Sequence, residues 1–184
     1  MAILKRHEDP PELNSTIIAK TFYRCWGDKF EITLPNVFLD FWCEADLLGI
    51  RKSGYIDEIE IKVSKSDFKA DFKKQCWWKT INDETRPWGN GFRRVEVKKH
   101  DMLEARDCLP NRFWFLVHPD IADKIDVPEY AGLLTVTPYK DHYMLRHIKE
   151  APLLHKTKMP DSAKSKLFKK MAWRYVTDWQ TRVS

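Results

Sequence analysis

The chain has 184 residues, enough for one domain with a full hydrophobic core and too few for two comfortable ones. Apolar residues make up 43% of it, which excludes a disordered chain, and no run approaches the roughly 20 apolar residues that a membrane helix needs. The formal charge of +5 biases it mildly toward an anionic partner and identifies none.

From the N-terminus, the segment Met1 to Asp9 becomes charged before any apolar stretch reaches signal-peptide length, and Pro10-Pro11 reads as an extended lead-in. A helix is expected from Glu12 to Trp26, with Ile18, Phe22, Cys25 and Trp26 at helical spacing and Gly27 as its stop. Leu34-Pro35-Asn36 reads as a breaker. Two β-rich segments follow, Val37 to Arg51 and Tyr55 to Val63, joined at Lys52-Ser53-Gly54. A helix is expected from Ser66 into Cys76-Trp77-Trp78, capped by Ser64 or Ser66, with Asp67 in its first turn. Residues 82–111, with Pro87, Gly89 and Gly91, read as an insertion carrying a basic run through Lys98-Lys99-His100. Phe113 to Val117 is the continuous apolar run of a strand buried on both faces. Two more strands are expected at Gly132–Thr137 and His142–Ile148. The region 162–182 reads as an amphipathic helix with the stripe Leu167, Phe168, Met171, Ala172, Tyr175 and Trp179, its lysines forming the wet side. Cys25, Cys43, Cys76 and Cys108 form no C-x-x-C pair and fit no common zinc framework, so they read as reduced, buried thiols of a cytoplasmic protein.

Strand periodicity singles out one constellation. In Tyr55 to Val63, Ile56, Glu58, Glu60 and Lys62 share one face, while Ile59, Ile61 and Val63 share the other with Asp57 near the turn. On the preceding strand Glu44, Asp46, Leu48 and Ile50 point one way. A two-residue turn at Ser53-Gly54 would put the two sets of carboxylates on opposite sides. A three-residue loop, with Gly54 in the left-handed region, pairs Arg51 with Tyr55 and sets Asp46 opposite Glu60. Carboxylates that meet this way repel unless a cation lies between them. Oxygen ligands without His or Cys suit Mg²⁺ or Mn²⁺ over zinc, and a lysine two residues beyond Glu60 lands on the same face, where it can stabilise phosphate charge.

Asp46 followed by Glu60-x-Lys62 on the next strand, with Ser64-Lys65-Ser66-Asp67-Phe68 opening a helix, resembles the PD-(D/E)XK nuclease superfamily, above all its small phage-type and bacterial DNA-repair-associated members. The likeness spans about residues 12–150. Residue 45 is Ala where the family motif often has Pro, a position the family leaves permissive. The resemblance implies a single α/β domain over 1–184 with a restriction-endonuclease-like core. Such a core is a mixed central sheet flanked by helices in the order α-β-β-β-α-β, here with the insertion at 82–111. It implies a deoxyribonuclease using Mg²⁺ or Mn²⁺, with Asp46, Glu60 and the Ile61 carbonyl as ligands and Lys62 in catalysis. Glu44 is a candidate further ligand. Candidate nucleic-acid contacts are Ser64, Ser66, Lys69, Lys73, Lys98, Lys99 and His100. DNA is the expected polymer, with RNA as the alternative, no membrane, and room for a protein partner or homo-oligomer. The competing expectation is a catalytically silent nucleic-acid-binding or interaction module on the same fold.

Overall fold

A computed structural model describes residues 10–39, 42–81 and 92–183. Residues 1–9 and 82–91 lie outside it, and with them the charged N-terminus and the Pro87 and Gly89–Gly91 part of the insertion. The described elements run, in chain order, α1 Ser15–Trp26, β1 Ile32–Phe38, β2 Glu44–Ile50, β3 Ile56–Lys62, α2 Lys65–Asp71, β4 Gln75–Ile81, β5 Phe92–Lys98, α3 Lys99–Glu104, β6 Arg112–Val117, α4 Pro119–Ala122, β7 Ala131–Tyr139, β8 His142–Lys149 and α5 Asp161–Val183. Six strands form one mixed sheet in the order β1-β2-β3-β6-β7-β8, and β4 pairs with β5 in a separate ribbon. The fold is therefore α/β, with helices on a sheet that is antiparallel at both edges and parallel from β3 through β6 to β7.

Alternating side chains divide the core in two. Ile59 of β3 joins Leu47, Trp114, Leu116 and Leu134 under Ile18 and Phe22 of α1. Ile56, Leu48, Phe113, Phe115 and Val117 point the other way, toward Phe68 of α2 and Leu103 of α3. The β6 run is fully buried, as expected of a central parallel strand. Asn14 caps α1 by accepting from the Ile17 N–H at 3.0 Å. At the start of α2, Ser64 accepts from Asp67 N–H and Asp67 accepts in return from Val63 N–H, a reciprocal cap that selects Ser64 over Ser66.

The β2–β3 loop has three residues. Arg51 N–H donates to the Tyr55 carbonyl at 2.8 Å, Gly54 N–H returns to Arg51, and Gly54 sits at φ 86. Glycine adopts that angle without the Cβ clash that other residues incur. The resulting ladder pairs Ile50 with Ile56, Leu48 with Glu58 and Leu47 with Ile59.

Several local expectations are corrected. Leu34-Pro35-Asn36 lies inside β1, which is an edge strand and so tolerates proline. The strand absorbs the break at Asn36, which has φ 48. The second helix ends at Asp71; Lys73 and Lys74 turn the chain, and Gln75–Ile81 is strand because its alternation is satisfied by pairing with β5. Cys43 and Cys76 are joined as a disulfide, not left reduced. Cys25 and Cys108 remain thiols. Only Leu167 of the α5 stripe is buried, while Phe168, Tyr175 and Trp179 face solvent. No described helix is long and apolar enough to cross a membrane.

Candidate active site

Glu58, Glu60 and Lys62 project from one face of β3 and are buried beneath α2 and α3. The ladder that pairs Leu48 with Glu58 would next set Asp46 against Glu60, but its last pair is Leu47 with Ile59. Beyond that point the Asp46 side chain replaces the backbone: its Oδ2 accepts from the Ile61 N–H at 2.8 Å. On the other flank, β1 pairs Pro35 with Leu47 and Val37 with Ala45, and skips the Asn36–Asp46 position where Asn36 turns left-handed. Asp46 thus sits at an opening in the sheet, with irregular backbone on both sides. Lys62 accepts at its carbonyl from His118 on the β6 side. By strand alternation the Ile61 carbonyl therefore faces the Asp46 side, along with its N–H.

Under the sheet lies a cluster of paired charges. Glu60 Oε2 meets Lys62 Nζ at 2.9 Å and Lys74 Nζ at 2.6 Å; its Oε1 meets Lys99 Nζ at 2.6 Å. Lys99 also reaches Glu58 at 2.5 Å, and Glu58 accepts from the Trp42 indole N–H at 2.6 Å. Asp71, on the buried face of α2, holds Lys62 at 2.6 Å and Lys74 at 2.9 Å through Oδ1, and His100 at 2.8 Å through Oδ2. His100 in turn meets the Tyr130 hydroxyl at 2.7 Å and stacks on Phe72. Three carboxylates, Glu58, Glu60 and Asp71, therefore face three ammonium groups.

Asp46 is different: among the described residues no cation lies within ion-pair distance of it. Burial and the charge of Glu60 both push its carboxyl upward, and the Ile61 N–H, Lys62 and Lys74 offset this only partly. Burial alone would lower the Lys62 and Lys99 ammonium groups. For Lys62 the attraction of Glu60 and Asp71 outweighs that penalty, and for Lys99 the attraction of Glu58 and Glu60, so both are held above the ordinary lysine value. Burial would likewise raise Asp71, but His100 and the lysines hold it well below the usual carboxylate range. Glu60 is also lowered, because Lys99, Lys62 and Lys74 together outweigh its desolvation.

Asp46 and the Ile61 backbone lie at the opening, and Glu60 is buried behind them with both oxygens on lysines; as hard oxygen donors the three suit a divalent cation such as Mg²⁺ or Mn²⁺ once a lysine withdraws from Glu60. The observation that favours the fit is the unpaired Asp46 carboxylate beside Glu60. Among the described residues no group of three or more His, Cys, Asp or Glu side chains is arranged to hold a metal ion, so a cation here would rely on two carboxylates and the backbone carbonyl. Of the three ammonium groups on Glu60, Lys74 is the one with room to move, its side chain being 36% exposed against 4% and 0% for Lys62 and Lys99.

The structure sorts the remaining candidates. Glu44 is exposed on the β2 end and lines a cavity of about 430 Å³ with Asp46, Lys74 and Trp77. A neighbouring cavity of about 410 Å³ is lined by Asp46, Ile61, Lys62, Asp67 and Lys74. Ser66, Lys69, Lys73 and Lys98 are exposed, and Ser64 is half-buried at its cap. Lys99 and His100 are corrected: both are buried and paired inside the cluster, which leaves them no surface to offer a phosphate. The basic run reads as a solvated loop in sequence, yet α3 starts there and turns its first two side chains inward.

Asp71 and Lys74 join the cluster without having been singled out for it, and Lys99, expected as a nucleic-acid contact, is instead an interior partner of Glu58 and Glu60. Asp71 carried a signal: it lies three residues after Phe68, hence on the same helix face, where a carboxylate needs a buried partner. For Lys99 no signal existed, because its partners are about 40 residues away across the insertion.

No family model matches the chain, and no curated protein does. A solved structure does: a protein of unknown function from Silicibacter pomeroyi, SPO1766, shares 20% identity over 94% of each chain with a TM-score of 0.56. At that identity the likeness is one of fold alone.

Proposed function

We propose that the chain is a divalent-metal-dependent nuclease that hydrolyses DNA phosphodiester bonds, with RNA as the alternative polymer. The reading is supported by the three-residue loop and the Asp46–Ile61 contact, with Asp46, Ile61 and Lys62 lining one opening and Glu60 buried beside Lys62. The order α-β-β-β-α-β from α1 through β6, interrupted only by the β4–β5–α3 insertion, supports a restriction-endonuclease-like core.

In this reading Asp46, Glu60 and the Ile61 carbonyl hold Mg²⁺ or Mn²⁺, which when bound polarises a phosphoryl oxygen and lowers the pKa of a water. Lys62 stays protonated through neutral pH because Glu60 and Asp71 hold it above its ordinary value. Its part is therefore electrostatic: it stabilises charge developing on the phosphate and does not take a proton. Asp71 positions Lys62, and His100 with Tyr130 positions Asp71. Glu60 keeps Lys99 and Lys62 on its two oxygens, while Lys74 is the group that yields to an entering cation.

The test is cleavage of plasmid and linear DNA by the purified chain with Mg²⁺ or Mn²⁺, against a chelator control. Lys62→Ala is expected to lower the rate at least 100-fold with unchanged circular dichroism, the order found when one transition-state donor is lost. Undiminished cleavage by that variant sinks the assignment. A second reading, a catalytically silent nucleic-acid-binding module, draws support from the three ammonium groups on Glu60, which already satisfy its charge. Salt-sensitive DNA binding with no turnover under any divalent ion favours that reading.

A further inference from the structure

We infer that a continuous surface running from Asp46 to the exposed Trp173 side of α5 is a track for a single, unpaired nucleic-acid strand. The inference names the substrate class for the proposed nuclease site and rests on that reading only at its Asp46 end. The cavity that holds Asp46, Ile61 and Lys62 shares Asn36, Asp46 and Lys74 with the next one, whose wall includes Phe38 and Trp77. Phe38 is also a wall of a third, of about 260 Å³, which ends on Lys166, Leu167 and Lys170 of α5. The three cavities thus lie end to end along the β1 edge.

The helix is fixed to that edge. Lys170 donates to the Phe38 carbonyl at 2.7 Å, Arg174 donates to the Asn36 carbonyl at 2.9 Å, and Lys164 pairs with Glu31 at 2.9 Å. With those side chains engaged, another side of the helix presents, among the described residues, an exposed aromatic ring among cations. Trp173 is 73% exposed, with Lys166 and Lys169 exposed beside it. Phe38 and Trp77 at the cavity rims are 44% and 46% exposed.

Charge and geometry together select the occupant. Along α5 the bases are Lys164, Lys166, Lys169, Lys170, Arg174 and Arg182, against the acids Asp161 and Asp178. That excess suits a polyanion and opposes a second copy of the same helix. Phe168, Tyr175 and Trp179 share one exposed stripe, and Trp173 stands roughly 120° from Trp179 around the axis, in the sector that holds Lys166 and Lys169. Rings spread along a cationic groove are what stacked, unpaired bases require, since a duplex keeps its base faces covered.

The experiment measures anisotropy of a labelled oligothymidylate and of a duplex of equal length, both in chelator so that no cleavage occurs. The single strand is expected to bind more tightly. Trp173→Ala and Phe38→Ala should each weaken it about 5-fold or more, with Trp173→Phe restoring most of the loss. Lys166→Ala with Lys169→Ala should flatten the salt dependence. Trp173 touches no core, so its loss leaves the fold intact, and thermal melts check this. Equal affinity for single strand and duplex overturns the inference. So does an unchanged Trp173→Ala, or a wild-type dimer that Trp173→Ala dissociates. Single-strand binding without metal-dependent cleavage leaves the track standing and removes the nuclease; cleavage without single-strand preference does the reverse.

Discussion

Lys99→Met removes the ammonium group that lies between Glu58 and Glu60. Its Nζ is 2.5 Å from Glu58 and 2.6 Å from Glu60, and all three side chains are fully buried. Methionine keeps the packing volume against Phe113 and Leu103 but leaves Glu58 without its cation and Glu60 with two of its three. Breaking a buried pair from one side costs about 3–5 kcal/mol, since the remaining charge stays desolvated. In a domain of this size about 1 kcal/mol moves Tm by about 2–4 °C, so the expected fall is roughly 6–20 °C at neutral pH. The sign of its pH dependence follows from the same loss. Burial already raises Glu58 with Lys99 in place, and losing Lys99 raises it further, while Glu60 keeps Lys62 and Lys74. The penalty is then full where Glu58 is forced to ionise and fades as pH falls toward about 4.3. Thermal melts of wild type and variant from neutral to mildly acid pH measure this, and Glu58→Gln added to Lys99→Met should recover part of the loss. A deficit under about 1 kcal/mol, flat with pH and not relieved by Glu58→Gln, would refute the proposed interior cluster.

Asp46→Asn keeps an acceptor for the Ile61 N–H while removing the repulsion from Glu60, so the chain should gain stability, by about 0.5–1 kcal/mol in chemical denaturation. The same variant should lose Mn²⁺ binding in calorimetry, and retained binding would place the metal elsewhere. Lys74→Met should tighten Mn²⁺ binding several-fold by clearing Glu60 Oε2; weaker binding would show that Lys74 supports the cation site instead of competing with it. Gly54→Ala forces a Cβ into the left-handed region and should cost about 1–2 kcal/mol with reduced cleavage, because the loop sets the register of Asp46. Below neutral pH, Asp71 and Glu60, both held under their ordinary values, contribute stability that is present above their unfolded pKa and lost as pH falls through the folded one. Acid unfolding should therefore begin below about pH 4, read by far-ultraviolet circular dichroism.

The sheet was legible where local pattern and burial agree. Phe113 to Val117 admits only a buried strand, and Lys52-Ser53-Gly54 admits one loop that uses its glycine well. The face shared by Glu58, Glu60 and Lys62 follows from alternation alone. What escaped was non-local. Gln75–Ile81 follows α2 without a strong stop, and its strand character comes from pairing with β5 across residues outside the described structure. The Lys98-Lys99-His100 run looks wet because sequence shows its charge and hides its partners. The α5 stripe has the right period for burial, but among its described residues Leu167 is buried and Met171 half-buried against the core, while Phe168, Tyr175 and Trp179 stay exposed.

The charge cluster bears on why such a sheet face exists at all. Replacing buried ion pairs with well-packed apolar residues is often neutral or stabilising, so six ionic side chains on Glu58, Glu60, Lys62, Asp71, Lys74 and Lys99 are a poor solution if stability is the only demand. They are a good solution to a different demand, which is to hold Glu60 ionised and Lys62 protonated at a fixed place beneath an opening. Each carboxylate in the cluster touches at least one cation, and the cations reach across α2, the turn after it and α3. Asp46 alone is left with a backbone N–H and no counter-charge, at the point where both flanking strands lose their regular pairing. On the proposed reading, the carboxylate left at the mouth is the one whose charge a cation from solution would neutralise, and this is what ties Asp46 to Glu60 and Lys62 in one site.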